Sequence, residues 1–454
     1  MAVFAVCAWS GAAGAAESFE QDASVESPRG RVSISGSLAG RYESVWHVDP
    51  ALDRPFDRNE SRPLAYLTTT LSIRPTDALQ GALTLASREV SRVTLDDGAV
   101  EHRWETARFV DEAWVKAGAG STWLKTGKQR LVVGRGLVLD SYQPAVSGNA
   151  DIPGAGDLGV RLKGFGARLD EDGVLRRGQS LYAGARVDLS SPLLGRVSAS
   201  VSRLWDRNGL LPTVLPANIS LGLRDAPFVA DRGALLYWIV DAAGTAGTWS
   251  LDAVAVIQTG SLGGIVDNPL VPPASRPRTI DLVGRAAEVR IEDAVSDRLR
   301  VGGFALYTSG DRRGAVDVLR DQRYEAFVGL FPLIDATNLF FRGGIDSAFE
   351  AGRPTASGAY GRGVLAGALT ADVAVDRFTA RIVAADLWSE YPATAAAGYH
   401  YGVEVDTEWA YRVTDRFTAR LEGDALFPGS FYRGALAPDP EPVYKLVVGG
   451  DVSW

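Results

Sequence analysis

The chain has 454 residues, 46% of them apolar, a mean hydropathy at zero and a formal net charge of −8. The negative balance argues against a general nucleic-acid binder. Beyond the N-terminus no uninterrupted run of 18 apolar residues occurs, which excludes a helical membrane protein. The 50 glycines and 11 tryptophans suit many twisted strands with aromatic belts, although a large soluble β-protein would share them.

The first residues read as an export signal over 1–16. Ala2–Trp9 is an apolar core, and the small residues Gly11–Ala16 offer a signal peptidase Ala13-Gly14-Ala15 or Gly14-Ala15-Ala16. The basic start usual in such signals is missing, so Met1 reads as lying downstream of the true start. Residues 17–31 follow as a periplasmic N-terminal segment. The single cysteine, Cys7, falls within the signal, so the mature chain has no disulfide framework, thiol-ligated metal or thiol nucleophile. Only five of the 47 cationic residues are lysine; the rest are arginine, which forks to carboxylates and phosphates.

From residue 32 onward the dominant signal is period-two alternation. In Asp415–Phe427 the odd positions Phe417, Ala419, Leu421, Ala425 and Phe427 are greasy, while Arg416, Thr418, Arg420, Glu422 and Asp424 lie between them. Such segments predict strands near 32–46, 64–73, 79–91, 106–118, 122–133, 158–169, 178–189, 194–205, 233–243, 247–258, 279–292, 298–309, 360–374, 377–388, 400–412, 416–427 and 443–454. Short links recur as Val295-Ser-Asp-Arg-Leu299, Val375-Asp-Arg-Phe378 and Val413-Thr-Asp-Arg-Phe417, with Pro75-Thr-Asp-Ala-Leu79 as a looser copy. Asp caps nearby amides in tight turns.

Long links alternate with these short ones, as in single-chain bacterial barrels with short periplasmic turns, long external loops and an even strand count. The long external loops are notably 134–157, 206–232 and 310–359. One parity break, where the links at 170–177 and 190–193 are both short, and the odd count of strands share one cure: a further strand within 134–157, around Leu137–Tyr142. The expected fold is all-β, a transmembrane antiparallel barrel of about 18 strands spanning 32–454, with 16 as the alternative. The last segment is the sharpest sign. Tyr444, Leu446, Val448, Val452 and Trp454 alternate out to an aromatic final residue, the ending by which barrel assembly machinery is addressed. This implies the outer membrane of a Gram-negative bacterium, with its lipid as a partner, and mildly favours a monomer.

The polar faces supply candidate pore-lining residues. Arg298 and Arg300 stand opposite Leu299 and Val301; Arg377 and Arg381 stand opposite Phe378 and Ile382; Arg416 and Arg420 stand beside Phe417 and Leu421. Between the last two pairs, segment 400–412 presents Glu404, Asp406 and Glu408, with Tyr401, Val403, Val405, Trp409 and Tyr411 on its outer face. An acidic strand flanked by basic ones is held by cross-strand attraction. The ladders read either as wall-stiffening ion pairs or as fixed charges lining a conduit. No catalytic site, metal or cofactor is expected. Gly154-Ala-Gly-Asp-Leu-Gly159 has no βαβ context, His47, His102 and His400 lack metal spacing, and no G-x-S-x-G occurs.

Phe109-Val-Asp-Glu-Ala-Trp-Val115, Trp123-Leu-Lys-Thr-Gly-Lys-Gln-Arg-Leu131, Val133-Gly-Arg-Gly-Leu137 and Asp140 resemble motifs of the alginate-export family of outer-membrane barrels. Ser309-Gly-Asp311, Leu330-Phe-Pro332 and Phe341-Arg-Gly-Gly-Ile-Asp346 resemble that family's long external segment. The chain departs from the pattern at Gly127-Lys128-Gln129, where the family has Gly-Arg-Gln, and at Leu333-Ile334, which replace a polar residue. The resemblance implies an eighteen-stranded barrel with an arginine-bearing lumen, passing an anionic polysaccharide outward with periplasmic export partners. It also implies that Lys128 and Arg130 point inward, which leaves Lys125 on the opposite face. The alternatives are a general or uptake porin for small solutes and a non-conducting structural barrel.

Overall fold

The computed structural model describes residues 32–454 apart from 47–59, 94–99, 105–109, 153–157, 170–179, 193–194, 208–210, 212–227, 267–278, 313–320, 331, 333, 335, 342–354, 394–396 and 433–439. The export signal, the 17–31 segment, His47, most of the 206–232 loop and Arg342–Asp346 therefore lie outside the described residues, and His102 lies in a short strand whose side chains are not described.

Eighteen antiparallel strands close into one barrel. They are β1 (Val32–Trp46), β2 (Glu60–Thr76), β3 (Leu79–Val93), β4 (Val110–Ala119), β5 (Thr122–Val133), β6 (Leu139–Ile152), β7 (Gly159–Leu169), β8 (Ser180–Ser191) and β9 (Gly195–Asp206). The second half is β10 (Phe228–Ala246), β11 (Trp249–Val266), β12 (Thr279–Ser296), β13 (Leu299–Thr308), β14 (Val364–Val375), β15 (Phe378–Trp388), β16 (His400–Arg412), β17 (Phe417–Pro428) and β18 (Val443–Ser453). Each strand pairs with the next, and β18 returns to β1 from Ser37↔Ser453 to Trp46↔Tyr444. At this seam Gly36 and Trp454 exchange backbone hydrogen bonds, each N–H donating to the other's carbonyl at 3.1 Å. A Cβ on Gly36 would lie 2.6 Å from the Trp454 ring, so only glycine lets the ring pass.

The alternation sorts residues to two faces. Outward side chains are large, apolar and bare: Leu369 is 72% exposed, Ile34 65% and Leu124 58%. Such a continuous apolar surface belongs against lipid, not water. Outward aromatics gather at both ends of the strands, Trp46, Trp205, Trp388, Phe427 and Tyr444 at one and Trp249, Phe378, Trp409, Tyr411 and Phe417 at the other, as in the girdles of an outer-membrane barrel. The protein is an outer-membrane β-barrel.

The Asp-Arg units form tight turns at 297–298, 376–377 and 413–416, and their looser copy forms one at 77–78. Asp376 takes the left-handed conformation (φ 52°) that such turns require and that Asp tolerates. These turns all lie at one end, the periplasmic one by the rule for these barrels.

The strand sought in 134–157 is β6. It starts at Leu139 and runs to Ile152, so most of this supposed loop is wall and restores the parity of the links. The 206–232 stretch ends as wall too, because β10 begins at Phe228. Tyr401 is not on the outer face. A bulge between Trp388↔His400 and Leu387↔Gly402 leaves it unpaired, and with Gly402 at φ +149° it turns fully inward.

Candidate functional site in the barrel lumen

The outer half of the lumen is filled. The expected external segment 310–359 does not stay outside: its described part from Arg323 to Phe341 folds down inside the wall. Phe327, Leu330, Phe340 and Phe341 are fully buried and join Tyr182, Leu235, Tyr237, Ile239, Val256, Tyr401, Phe431 and Tyr432 in one apolar cluster. The wall is cut to receive the segment. A Cβ on Gly284 would lie 2.7 Å from Phe327 Cα. The Gln258 side-chain carbonyl accepts from Val328 N–H at 2.8 Å, the Tyr237 hydroxyl donates to the Val328 carbonyl at 2.9 Å, and Leu330 N–H donates to the Val138 carbonyl at 2.8 Å. Buried backbone groups need partners, and these supply them.

The strongest anchor is the acidic face of β16. Glu404 accepts the Thr337 hydroxyl at 2.8 Å and the N–H groups of Leu339 at 2.5 Å and Phe340 at 2.9 Å. Asp406 accepts Asn338 N–H at 3.0 Å, and the Asn338 amide donates to Glu408 at 3.1 Å and Asp424 at 3.2 Å. The Lys445 ammonium sits 2.5 Å from Glu422 and 3.7 Å from Asp424. Glu404 and Asp406 are buried under this loop, so they hold backbone donors and do not line open space. Buried backbone donors need acceptors, and these carboxyl oxygens supply them.

The periplasmic half is open and charged. A chamber of about 450 Å³ is lined by Arg41, Arg298, Arg300, Arg381 and Arg420 and, in equal number, by Glu292, Asp297, Asp372, Glu408 and Glu422. Arg420 is hydrogen-bonded to Asp451, and Arg381 lies 3.9 Å from Asp372 and directly across the ladder from Glu408. The acidic strand is flanked by arginine only at this level; higher up, Glu404 and Asp406 face Ala385 and Val383 across the ladder.

Of the sequence-predicted residues, Arg300, Arg381, Glu408 and Arg420 thus share the chamber. Arg298 stands at its lip in the 297–298 turn. Arg377 and Arg416 are exposed in the 376–377 and 413–416 turns, on the periplasmic rim, because the strands begin one residue later than the alternation suggests. Lys128 and Arg130 point the other way, out of the barrel. On β5 the inward residues are odd: Trp123, Gln129 and Leu131 are buried while Leu124 is 58% exposed. Both faces of β5 carry polar and apolar residues, so its alternation is ambiguous. Gln129 decides it by bonding inward to Ser147 Oγ at 2.7 Å and the Ala145 carbonyl at 3.0 Å. Lys125, the residue left on the wrong parity, is inside, its ammonium 4.0 Å from the centre of the Trp114 ring; Lys116 stands 4.7 Å from the Trp123 ring.

Arg135 escaped the sequence reading. It sits in the short β5–β6 link, which dips into the lumen, and at φ 56° it holds a left-handed conformation. Its guanidinium is buried, 2.7 Å from Asp252 and 3.7 Å from Glu288. The Gly134-Arg-Gly136 sequence signalled it, since flanking glycines allow a sharp reversal. A second buried network, Lys163, Arg186, Asp188 and Asp241, crosses β7 to β10, with Lys163 at 3.1 Å from Asp188 and Arg186 at 2.8 Å from Asp241. Among the described residues no group of His, Cys, Asp or Glu is arranged to hold a metal.

No protein-family model and no curated protein sequence matches the chain. The fold itself has solved counterparts. Pseudomonas aeruginosa OccK9 (OpdG) is similar at 11% identity over 93% of this chain and 98% of its own, with a TM-score of 0.51. Acinetobacter baumannii OccAB4 gives 9% identity, 94% and 98% coverage and a TM-score of 0.49. A BenF-like porin from Pseudomonas fluorescens Pf-5 gives 10%, 93% and 99%, and 0.47. At such identities the likeness to OccK9 speaks for the barrel architecture alone.

Proposed function

We propose that the barrel is a selective channel for small polar solutes bearing a carboxylate, an uptake porin in kind. The observation that carries this reading is the inward-folded 323–341 segment, pinned to β16 above a chamber of balanced charge. A bulky apolar plug in the outer half favours small solutes over a polysaccharide strand, which would need a wide polar path along its whole length. In the chamber, guanidinium forks offer carboxylates bidentate contacts, and neighbouring acids weaken the hold so that the solute leaves again.

Planar-bilayer recording on the purified barrel tests this. Small carboxylates are expected to carry current or to block it transiently from the periplasmic side, whereas a long acidic oligosaccharide does neither. Passage of the oligosaccharide would favour polysaccharide export instead, and absence of any conductance would favour a structural barrel.

A further inference from the structure

The lipid-facing surface is chemically lopsided. Outward residues of β13–β18 and β1 include no lysine or arginine, and Asp386 is their single acid, 2.8 Å from His400. The sector from β5 to β9 instead places Lys128, Arg130, Arg168 and Arg203 outward. Arg130, Arg168 and Arg203 lie eight or nine residues above the periplasmic ends of their strands, Thr122, Gly159 and Gly195. For tilted strands that is a rise of roughly 20–25 Å, the outer edge of an apolar band about 25 Å tall. The cations therefore stand at one level, where the acyl chains of the outer leaflet meet its headgroups.

Part of this charge is answered within the protein. Arg130 is held by both oxygens of Asp140 at 2.7 Å, and Asp111 stands in the bulge at the head of β4. No acid lies on the outward faces of β7, β8 or β9. In the ladder Arg168 pairs with Leu181, which pairs in turn with Trp205, and Arg203 pairs with Ala183, which pairs in turn with Gly166. Those small residues floor an outward groove of about 510 Å³ beside Arg168 and Trp205. The Arg203 guanidinium lies 5.1 Å from the Trp205 ring, and a Cβ on Gly166 would meet nothing within 4 Å. Cations above a groove bounded by apolar side chains match the two ends of an amphiphile.

We infer that this sector is a docking site for a phosphorylated glycolipid of the outer leaflet, its phosphates held by Arg168 and Arg203 and an acyl chain lying along Gly166 and Ala183. Arginine is suited to phosphate because its fork donates two parallel hydrogen bonds.

Native mass spectrometry of the full barrel, titrated with bisphosphorylated lipid A and with its dephosphorylated counterpart, tests the site. The expected result is a bound bisphosphorylated lipid whose affinity falls tenfold or more in the R168Q/R203Q variant and in G166L, which fills the groove. R232Q/R285Q, which removes the same outward charge from β10 and β12, leaves binding unchanged. Heat-modifiable migration verifies that each variant is folded. Retention of wild-type affinity by either R168Q/R203Q or G166L, equal loss in R232Q/R285Q, or equal binding of the dephosphorylated lipid overturns the inference.

Discussion

Along β16 one inward face meets two different surroundings. At Glu404 and Asp406 the carboxylates are buried and accept hydrogen bonds from a loop; two residues lower, Glu408 borders a chamber with Arg381 across the ladder. The strand and its alternation are the same, yet the outer part serves as an anchor and the inner part as a lining. The difference teaches that a charge on the lumen face of a barrel is not by itself a pore charge. What stands above it decides whether it holds protein or meets solute.

The comparison can be broken most forcefully at the anchor. Glu404→Ala leaves the Thr337 hydroxyl and two buried N–H groups without their acceptor, and each buried donor left unsatisfied costs about 1–3 kcal/mol. The loop should detach, giving a several-fold rise in single-channel conductance and rapid amide exchange at Leu339 and Phe340, while the barrel stays heat-modifiable. Next comes Arg135→Ala, which strips Asp252 of its buried partner; urea unfolding should show a loss of about 3 kcal/mol. A smaller effect is expected from the chamber. Arg300→Gln with Arg381→Gln and Arg420→Gln tips its balanced lining to net negative, so reversal potentials in a salt gradient should move several-fold toward cations with conductance nearly unchanged. The smallest effect is a null one. Lys128→Ala should leave ion selectivity at the wild-type value, because its side chain is outside the barrel; a shift comparable to that of the chamber variants would refute the face assigned to β5.

The strand number, the gathering of the Asp-Arg turns at one end and the chamber residues Arg300, Arg381, Glu408 and Arg420 were legible in the chain because period-two alternation is strict where one face meets lipid. Legibility failed where that contrast fades. On β5 the polar residues fall on both faces, so parity alone could not place Lys128 and Arg130; the resemblance used to place them sent them the wrong way. Tyr401 was misassigned because one bulge residue reverses a face without marking the sequence, apart from Gly402. The inward fold of 323–341 left no periodic trace at all. Its signature is spread over distant positions, Gly284 and Gln258 on the wall and Glu404 below, which only the closed barrel brings together.

That dispersal bears on the order in which the molecule can be made. The residues from Thr337 to Phe340 dock on β16 and β17 at separations of 64 to 86 positions along the chain. Their acceptors emerge later in synthesis and enter the sheet near its closing seam. Contacts of such long range form late in folding, so the plug has nowhere to settle until the wall behind it is nearly complete. The lumen must therefore stay wide until β16 and β17 have joined the sheet, and it narrows only when the segment docks on them.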